Sequence, residues 1–223
     1  MNKQQLTKFV LLSLMLGWLA IAVLFFNQHR DHLFIVIFLV LAASERFLET
    51  FFTSKQNILQ KNSKFDWLFF LITFCYLMIM YGSIIEIFKF KYERSPVISV
   101  LGLIFFSFAL LLRWWAIKSL GLKWNSVISR KVLRKNTKIR FIRRGPYRYF
   151  RHPMYAGTML ELCGIPLVCN AYFSLLFSAF VGLPLLLIRA AAEEKILFDK
   201  FGGAYQIYKN RTGAFIPKMG KRS

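Results

Sequence analysis

The sequence predicts an all-α fold, a multi-pass transmembrane bundle of about six helices whose last two form a hairpin. Three observations predict it. The first is composition: of 223 residues, 57% are hydrophobic and 17% aromatic, including 25 Phe, and only 18% are charged. Ordinary soluble domains carry about 25% charged residues. The second is distribution, because the apolar residues fall in runs long enough to cross a bilayer, which takes about 20 residues. The third is charge: 31 Lys and Arg stand against 10 Asp and Glu, a net +21, and the basic residues gather between the runs. Disorder, a coiled coil and a disulfide-rich secreted fold are excluded by the same figures.

The first run is Phe9 to Phe26, preceded by Lys3 and Lys8. It is long for a signal peptide and lacks a small-x-small cleavage site. The second opens at Leu33, stays apolar to Ala43 and continues as Ser44-Glu45-Arg46-Phe47-Leu48-Glu49. The third is Phe65 to Phe88, and the fourth runs from Val97 to about Leu112, ending in Arg113-Trp114-Trp115. Met154 to Ala192 then gives 39 residues broken near Asn170. Gly164, Pro166 and Pro184 are expected to kink or interrupt it, so it reads as the hairpin. The chain divides accordingly into residues 1–112, about four spans, and residues 113–223, with a basic loop, the hairpin and a tail.

The basic loops set the expected orientation. No acidic residue lies between Glu93 and Glu161, while 13 basic residues lie from Arg113 to Arg151. Lys3, Lys8, Lys55, Lys61, Lys64 and seven basic residues from Lys195 onward fall on the same side if there are six spans. Both termini and that loop are expected in the cytoplasm, facing anionic lipid or a small anion rather than nucleic acid. Cys75, Cys163 and Cys169 lie in apolar runs without metal-type spacing, so buried packing thiols are expected and no metal.

Ionisable residues inside spans are functional candidates because the bilayer makes them expensive. Glu86 and the Glu45, Arg46 and Glu49 group lie near span ends, where they can reach interfacial water. Glu161 lies about two helical turns inside its span. Arg189 and Glu193 are neighbours on one helix face, either as a mutual ion pair or as separate ligand contacts. Glu194 follows directly.

The densest segment is Arg143-Arg144-Gly145-Pro146-Tyr147-Arg148-Tyr149-Phe150-Arg151-His152-Pro153-Met154-Tyr155-Ala156-Gly157. Gly-Pro makes one turn and His-Pro a second break immediately before an apolar span. An interfacial belt accounts for its arginines and tyrosines, but not for two turns that hold them. Of three histidines, only His152 is well placed for chemistry. The chain lacks His-Glu-x-x-His, Gly-x-Ser-x-Gly, a Walker loop and the dinucleotide-binding glycines, which disfavours a metalloprotease, a serine hydrolase and a soluble-type dinucleotide enzyme.

Gly145-Pro146-Tyr147-Arg148-Tyr149 followed by Arg151-His152-Pro153-x-Tyr155-x-Gly157 resembles the isoprenylcysteine carboxyl methyltransferase family, which is related to membrane phospholipid methyltransferases. The resemblance continues with Arg189-x-x-x-Glu193-Glu194 and Phe201-Gly202-x-x-Tyr205-x-x-Tyr208-Lys209, and closes at Phe215-Ile216-Pro217. It covers roughly Arg113 to Pro217. Arg113-Trp114-Trp115-Ala116-Ile117 with Leu120-Gly121 and Trp124 is most similar to a bacterial branch, some of whose members methylate lipid-like polyketide hydroxyls.

The resemblance implies an enzyme that uses S-adenosylmethionine and takes a lipophilic or prenylated acceptor from the bilayer. Tyr147, His152, Pro153, Met154 and Tyr155 would contact the cofactor, and Glu193 would hold its ammonium group. Ile139, Arg140, Phe141 and Ile142 fall where the family has a further cofactor stretch, although Ile139 replaces its frequent histidine. Arg189 matches the arginine that faces the acceptor carboxylate. An ionised carboxylate needs no base at pH 7. A hydroxyl or ammonium acceptor needs one, and His152 or Glu161 are the candidates. The rival readings are a phospholipid N-methyltransferase and an NADPH-dependent membrane reductase. The expected location is a bacterial inner membrane, or the endoplasmic reticulum in a eukaryote, with the site facing the cytoplasm.

Overall fold

The computed structural model describes residues 33–53, 66–90, 94–120 and 144–218. It divides into two units, residues 1–57 and 58–223. The first contains α1, Leu33–Thr53. Glu45 and Arg46 are half-buried within α1, and the side chain of Glu49 is outside the described set. The first apolar run and most of the basic loop, Ile139, Arg140, Phe141 and Ile142 included, lie outside the described residues.

The second unit contains α2 (Asp66–Lys89), α3 (Pro96–Leu120), a 3-10 turn (Gly145–Arg148), α4 (Pro153–Cys169), α5 (Tyr172–Phe201) and α6 (Gly203–Arg211). Among the described residues there is no strand; Phe150 and Gly213 form one isolated parallel bridge. Among the described residues, three helices are long and apolar enough to cross a membrane: Trp67–Lys89, Pro96–Ser119 and Tyr172–Phe201; the first apolar run of the expected six lies outside the described residues. α4 falls short because it has 17 residues. At 1.5 Å per residue it spans about 26 Å, less than a hydrocarbon core of about 30 Å.

The expected hairpin is present. Asn170 turns its corner in the left-handed region at φ 54°, a conformation that asparagine tolerates better than most residues. Its side chain accepts from Ser95 N (3.1 Å) and donates to Ser99 Oγ (2.6 Å), tying the corner to the start of α3. Pro166 sits within α4 without breaking it. Pro184 is accommodated by a π turn over Ser178–Gly182. A proline lacks the N–H for a carbonyl four residues back and crowds it, and the wider turn absorbs both defects.

Two expectations about charged residues are corrected. Glu86 does not reach interfacial water; it is 6% exposed. Its carboxylate accepts from Phe173 N (2.9 Å) and from Ser174 N and Oγ (both 2.6 Å), so it satisfies the free amides at the start of α5. The fourth run does not end at Leu112. α3 continues through Arg113, which is 1% exposed. Glu161 of α4 neutralises that guanidinium at 2.5 Å and also accepts from Tyr76 Oη of α2 at 2.8 Å.

Small residues make this contact possible. A Cβ at Gly157 would lie 2.5 Å from Arg113 Cγ, and one at Gly102 would lie 2.4 Å from Val168 N. α3 and α4 therefore approach closely, the usual way for helices to associate in lipid. Of the cysteines, Cys75 and Cys169 are buried and Cys163 is half-buried, all as free thiols.

Candidate active site

The site forms where the end of α3, the start of α4, the end of α5 and α6 come together. Gly145, at φ 56°, rests against Ser119 and Trp115 near the end of α3; a Cβ there would lie 1.8 Å from Ser119 Oγ. Pro146 and Tyr147 are buried in the turn that follows. The chain then runs beside its own tail: Arg151 N donates to Gly213 O (2.8 Å), His152 N to Ala214 O (3.1 Å) and Gly213 N to Tyr149 O (3.1 Å). Pro153 opens α4 at a position where a missing N–H costs nothing. The two turns read in the sequence thus fix His152 at the mouth of a helix.

His152 is 6% exposed and sits between aromatic rings. Its imidazole stacks on Tyr155 at 5.5 Å and 12°, and lies 5.8 Å from Phe215. Its Nε2 is 3.2 Å from Glu194 Oε1. The same carboxylate accepts from Arg151 Nε at 2.7 Å and pairs with Lys209 Nζ at 2.9 Å. Arg151 also donates through Nη1 to Lys209 O and Thr212 O. Glu194 is therefore the hub that joins α5, the His-Pro segment and the tail after α6.

Below α6, Tyr205 and Tyr208 pack with Leu197, Phe201 and Ala204. Tyr208 Oη donates to Tyr147 O at 3.1 Å. Burial, followed by the nearby Glu193 carboxylate, keeps the Tyr147 phenol neutral far above its ordinary range. Tyr205 is raised in the same direction, by burial and then by Glu194.

The second focus is a three-residue bridge. Arg189 Nε donates to Tyr155 Oη at 3.0 Å, and Tyr155 Oη donates to Glu193 Oε2 at 2.8 Å. The sequence left a mutual Arg189–Glu193 ion pair open; the phenol stands between them instead. The guanidinium lies 6.0 Å over the Tyr155 ring and 5.7 Å over the ring of Phe69, from α2. Its Nη1 is buried and has no hydrogen-bond partner among the described residues. A buried guanidinium N–H without an acceptor is costly, and an incoming anion would satisfy it.

The structure brings together Tyr147, His152, Pro153, Tyr155, Arg189 and Glu193. Met154 is half-buried in the first turn of α4, where its carbonyl accepts from Thr158 Oγ1 at 3.1 Å. Glu161 stands apart from this group: both its oxygens are engaged, by Arg113 and Tyr76, and it is fully buried. The structure thus places Glu161 in a buried ion pair rather than beside His152. Glu194 as the partner of His152, and Phe69, were not assigned to the site from sequence. Glu194 was legible in the Arg189-x-x-x-Glu193-Glu194 motif; Phe69 is one phenylalanine in an apolar run and carries no local signal.

Fold and site together define a helical membrane protein with a buried ionic and aromatic cluster at one end of its bundle. Comparison with known proteins finds similarity in the same part of the chain. Residues 100–199 match the Isoprenylcysteine carboxyl methyltransferase (ICMT) family. A Bacillus subtilis (strain 168) protein, "Uncharacterized protein YpbQ", is 36% identical over 87 residues, 39% of this chain and 49% of that protein. A "Methanethiol S-methyltransferase" of Pseudomonas sp. (strain GM41(2012)) is 36% identical over 74 residues, 32% of this chain and 26% of that one. The "Protein-S-isoprenylcysteine O-methyltransferase" of Saccharomyces cerevisiae is 26% identical over 191 residues, 81% of this chain and 78% of that one. The chain thus spans half or less of the first two relatives.

Proposed function

We propose that this protein is a membrane methyltransferase that uses S-adenosylmethionine to methylate an anionic oxygen of a lipophilic acceptor. The acceptor class is an isoprenylcysteine carboxylate or the acidic hydroxyl of a lipid-like polyketide. The observation that carries the reading is the Arg189–Tyr155–Glu193 bridge, with a buried guanidinium N–H awaiting an acceptor at one end and a carboxylate at the other.

The residues fit the cofactor. Adenosylmethionine carries an ammonium, a sulfonium and a carboxylate, and supplies an electrophilic methyl group when bound. Glu193 suits the ammonium, and the faces of His152, Tyr155 and Phe215 suit a sulfonium. Tyr147, Pro153 and Met154 complete the lining, and the resemblance adds Ile139, Arg140, Phe141 and Ile142. Arg189 orients the acceptor anion, and the surrounding apolar helices exclude water; methyl transfer depends chiefly on such positioning. A carboxylate acceptor requires no base. For a hydroxyl acceptor, His152 takes the proton, its Nε2 being oriented by Glu194. Residues 1–112 supply membrane anchorage and 113–223 the catalytic region. The site end and both termini face the cytoplasm of a bacterial inner membrane, in keeping with the basic loops.

A second reading is S-methylation of a thiol, favoured by the matches to methanethiol S-methyltransferases. A thiolate is also an anion, so Arg189 serves either nucleophile. An N-methyltransferase fits less well, because an amine nucleophile, unlike an anionic one, gains nothing from the Arg189 Nη1. The test is transfer of labelled methyl from adenosylmethionine to N-acetyl-S-farnesylcysteine, methanethiol and phosphatidylethanolamine. Labelling of the first supports the reading; labelling of phosphatidylethanolamine alone overturns it.

A further inference from the structure

Arg189 reaches its position from α5, but one of its two aromatic neighbours comes from α2, outside the family-matched residues. Phe69 lies 5.7 Å from the guanidinium carbon, and Tyr155 lies 6.0 Å from it on α4. The Tyr155 phenol holds Nε, which leaves rotation about the remaining bonds to be fixed by the rings. Phe69 is half-buried, and its edge meets Phe70 at 6.2 Å and 75°; Phe70 is 44% exposed on the apolar surface. An aromatic row thus runs from the bilayer-facing side of α2 to a buried Nη1 that has no hydrogen-bond partner among the described residues.

We propose that Phe69 is a positioning residue: its ring holds the Arg189 guanidinium so that Nη1 faces an acidic acceptor whose apolar part lies along Phe69 and Phe70. This rests on the methyltransferase reading and adds to it a contribution from the N-terminal region. A ring face attracts a guanidinium by its quadrupole, and the attraction grows when water is excluded. An aliphatic side chain of similar size fills the space without that attraction, so the charge of the acceptor becomes the discriminating variable.

The experiment measures binding of N-acetyl-S-farnesylcysteine and of its methyl ester to the protein in lipid nanodiscs. Wild type, Phe69→Leu, Phe69→Met and Phe69→Tyr are compared, with adenosylmethionine affinity measured on each. Wild type should prefer the acid. Phe69→Leu or Phe69→Met should weaken the acid by about fivefold, the equivalent of a cation–π contact near 1 kcal/mol, and leave the ester and the cofactor within about twofold. Phe69→Tyr keeps the ring face and should restore acid binding. Equal losses for acid and ester, no loss for either, or no acid preference in wild type overturns the assignment. Absence of adenosylmethionine binding by wild type instead strikes the methyltransferase reading.

Discussion

Arg113 Nη1 and Glu161 Oε2 meet at 2.5 Å inside the bundle, with the two residues 1% and 0% exposed. With Tyr76 Oη on the other carboxylate oxygen, this pair ties α2, α3 and α4 together. Breaking a buried pair strands the surviving charge, at a cost of about 3–5 kcal/mol, whereas replacing both partners by apolar residues is often near neutral. Arg113→Met alone should therefore lower the melting temperature sharply in detergent. The double variant Arg113→Met/Glu161→Leu should recover most of the loss, and additive losses would contradict the assignment.

Gly157 makes room for that arginine. Gly157→Ala would push a methyl group to 2.5 Å from Arg113 Cγ, inside any real contact distance. Overpacking of this kind costs about 1–3 kcal/mol. A drop in thermal stability is expected, while Gly203→Ala, where a Cβ meets nothing within 4 Å, should be mild by comparison. Equal effects at the two positions would show that the close approach is not limiting.

Glu194 collects Arg151, His152 and Lys209, and through Arg151 it secures the carbonyls of Lys209 and Thr212. Glu194→Gln keeps the shape and removes the charge. Amide exchange over residues 205–214 should speed up by about tenfold, since a charged hydrogen bond contributes roughly 1.5–3 kcal/mol. Unchanged exchange would mean that the tail is held by the Tyr205 and Tyr208 cluster alone.

Tyr155 is the shared partner of Arg189 and Glu193, so its hydroxyl couples the two halves of the proposed site. Tyr155→Phe should weaken cofactor affinity and raise the acceptor KM together, each by about fivefold to tenfold, the scale of one lost hydrogen bond. Arg189→Ala should affect mainly the acceptor, and Glu193→Ala mainly the cofactor. Identical losses in both quantities for Arg189→Ala and Glu193→Ala would return the three residues to a purely structural role.

The hairpin, the apolar helices and the His-Pro segment were legible because each has a local cause: run length, a corner at Asn170, and prolines that fix turns. The depth of Arg113 was not, since a basic residue after an apolar run looks the same whether it meets lipid headgroups or a partner 48 residues away. Glu86 misled for the same reason; its partners at Phe173 and Ser174 lie 87 and 88 residues along. The motif showed that His152, Tyr155, Arg189 and Glu193 belong together. It did not show that a phenol separates the last two, or that α2 supplies Phe69, because both depend on how helices pack.

The central claim, that this ionic and aromatic cluster holds adenosylmethionine, is tested most directly by titrating the purified protein in nanodiscs with adenosylmethionine and, separately, NADPH. Adenosylmethionine should bind, NADPH should not, and His152→Ala and Glu193→Ala should each weaken binding by about tenfold, roughly 1.4 kcal/mol, in folded protein. Binding of NADPH but not adenosylmethionine, or unchanged affinity in both folded variants, would contradict the account.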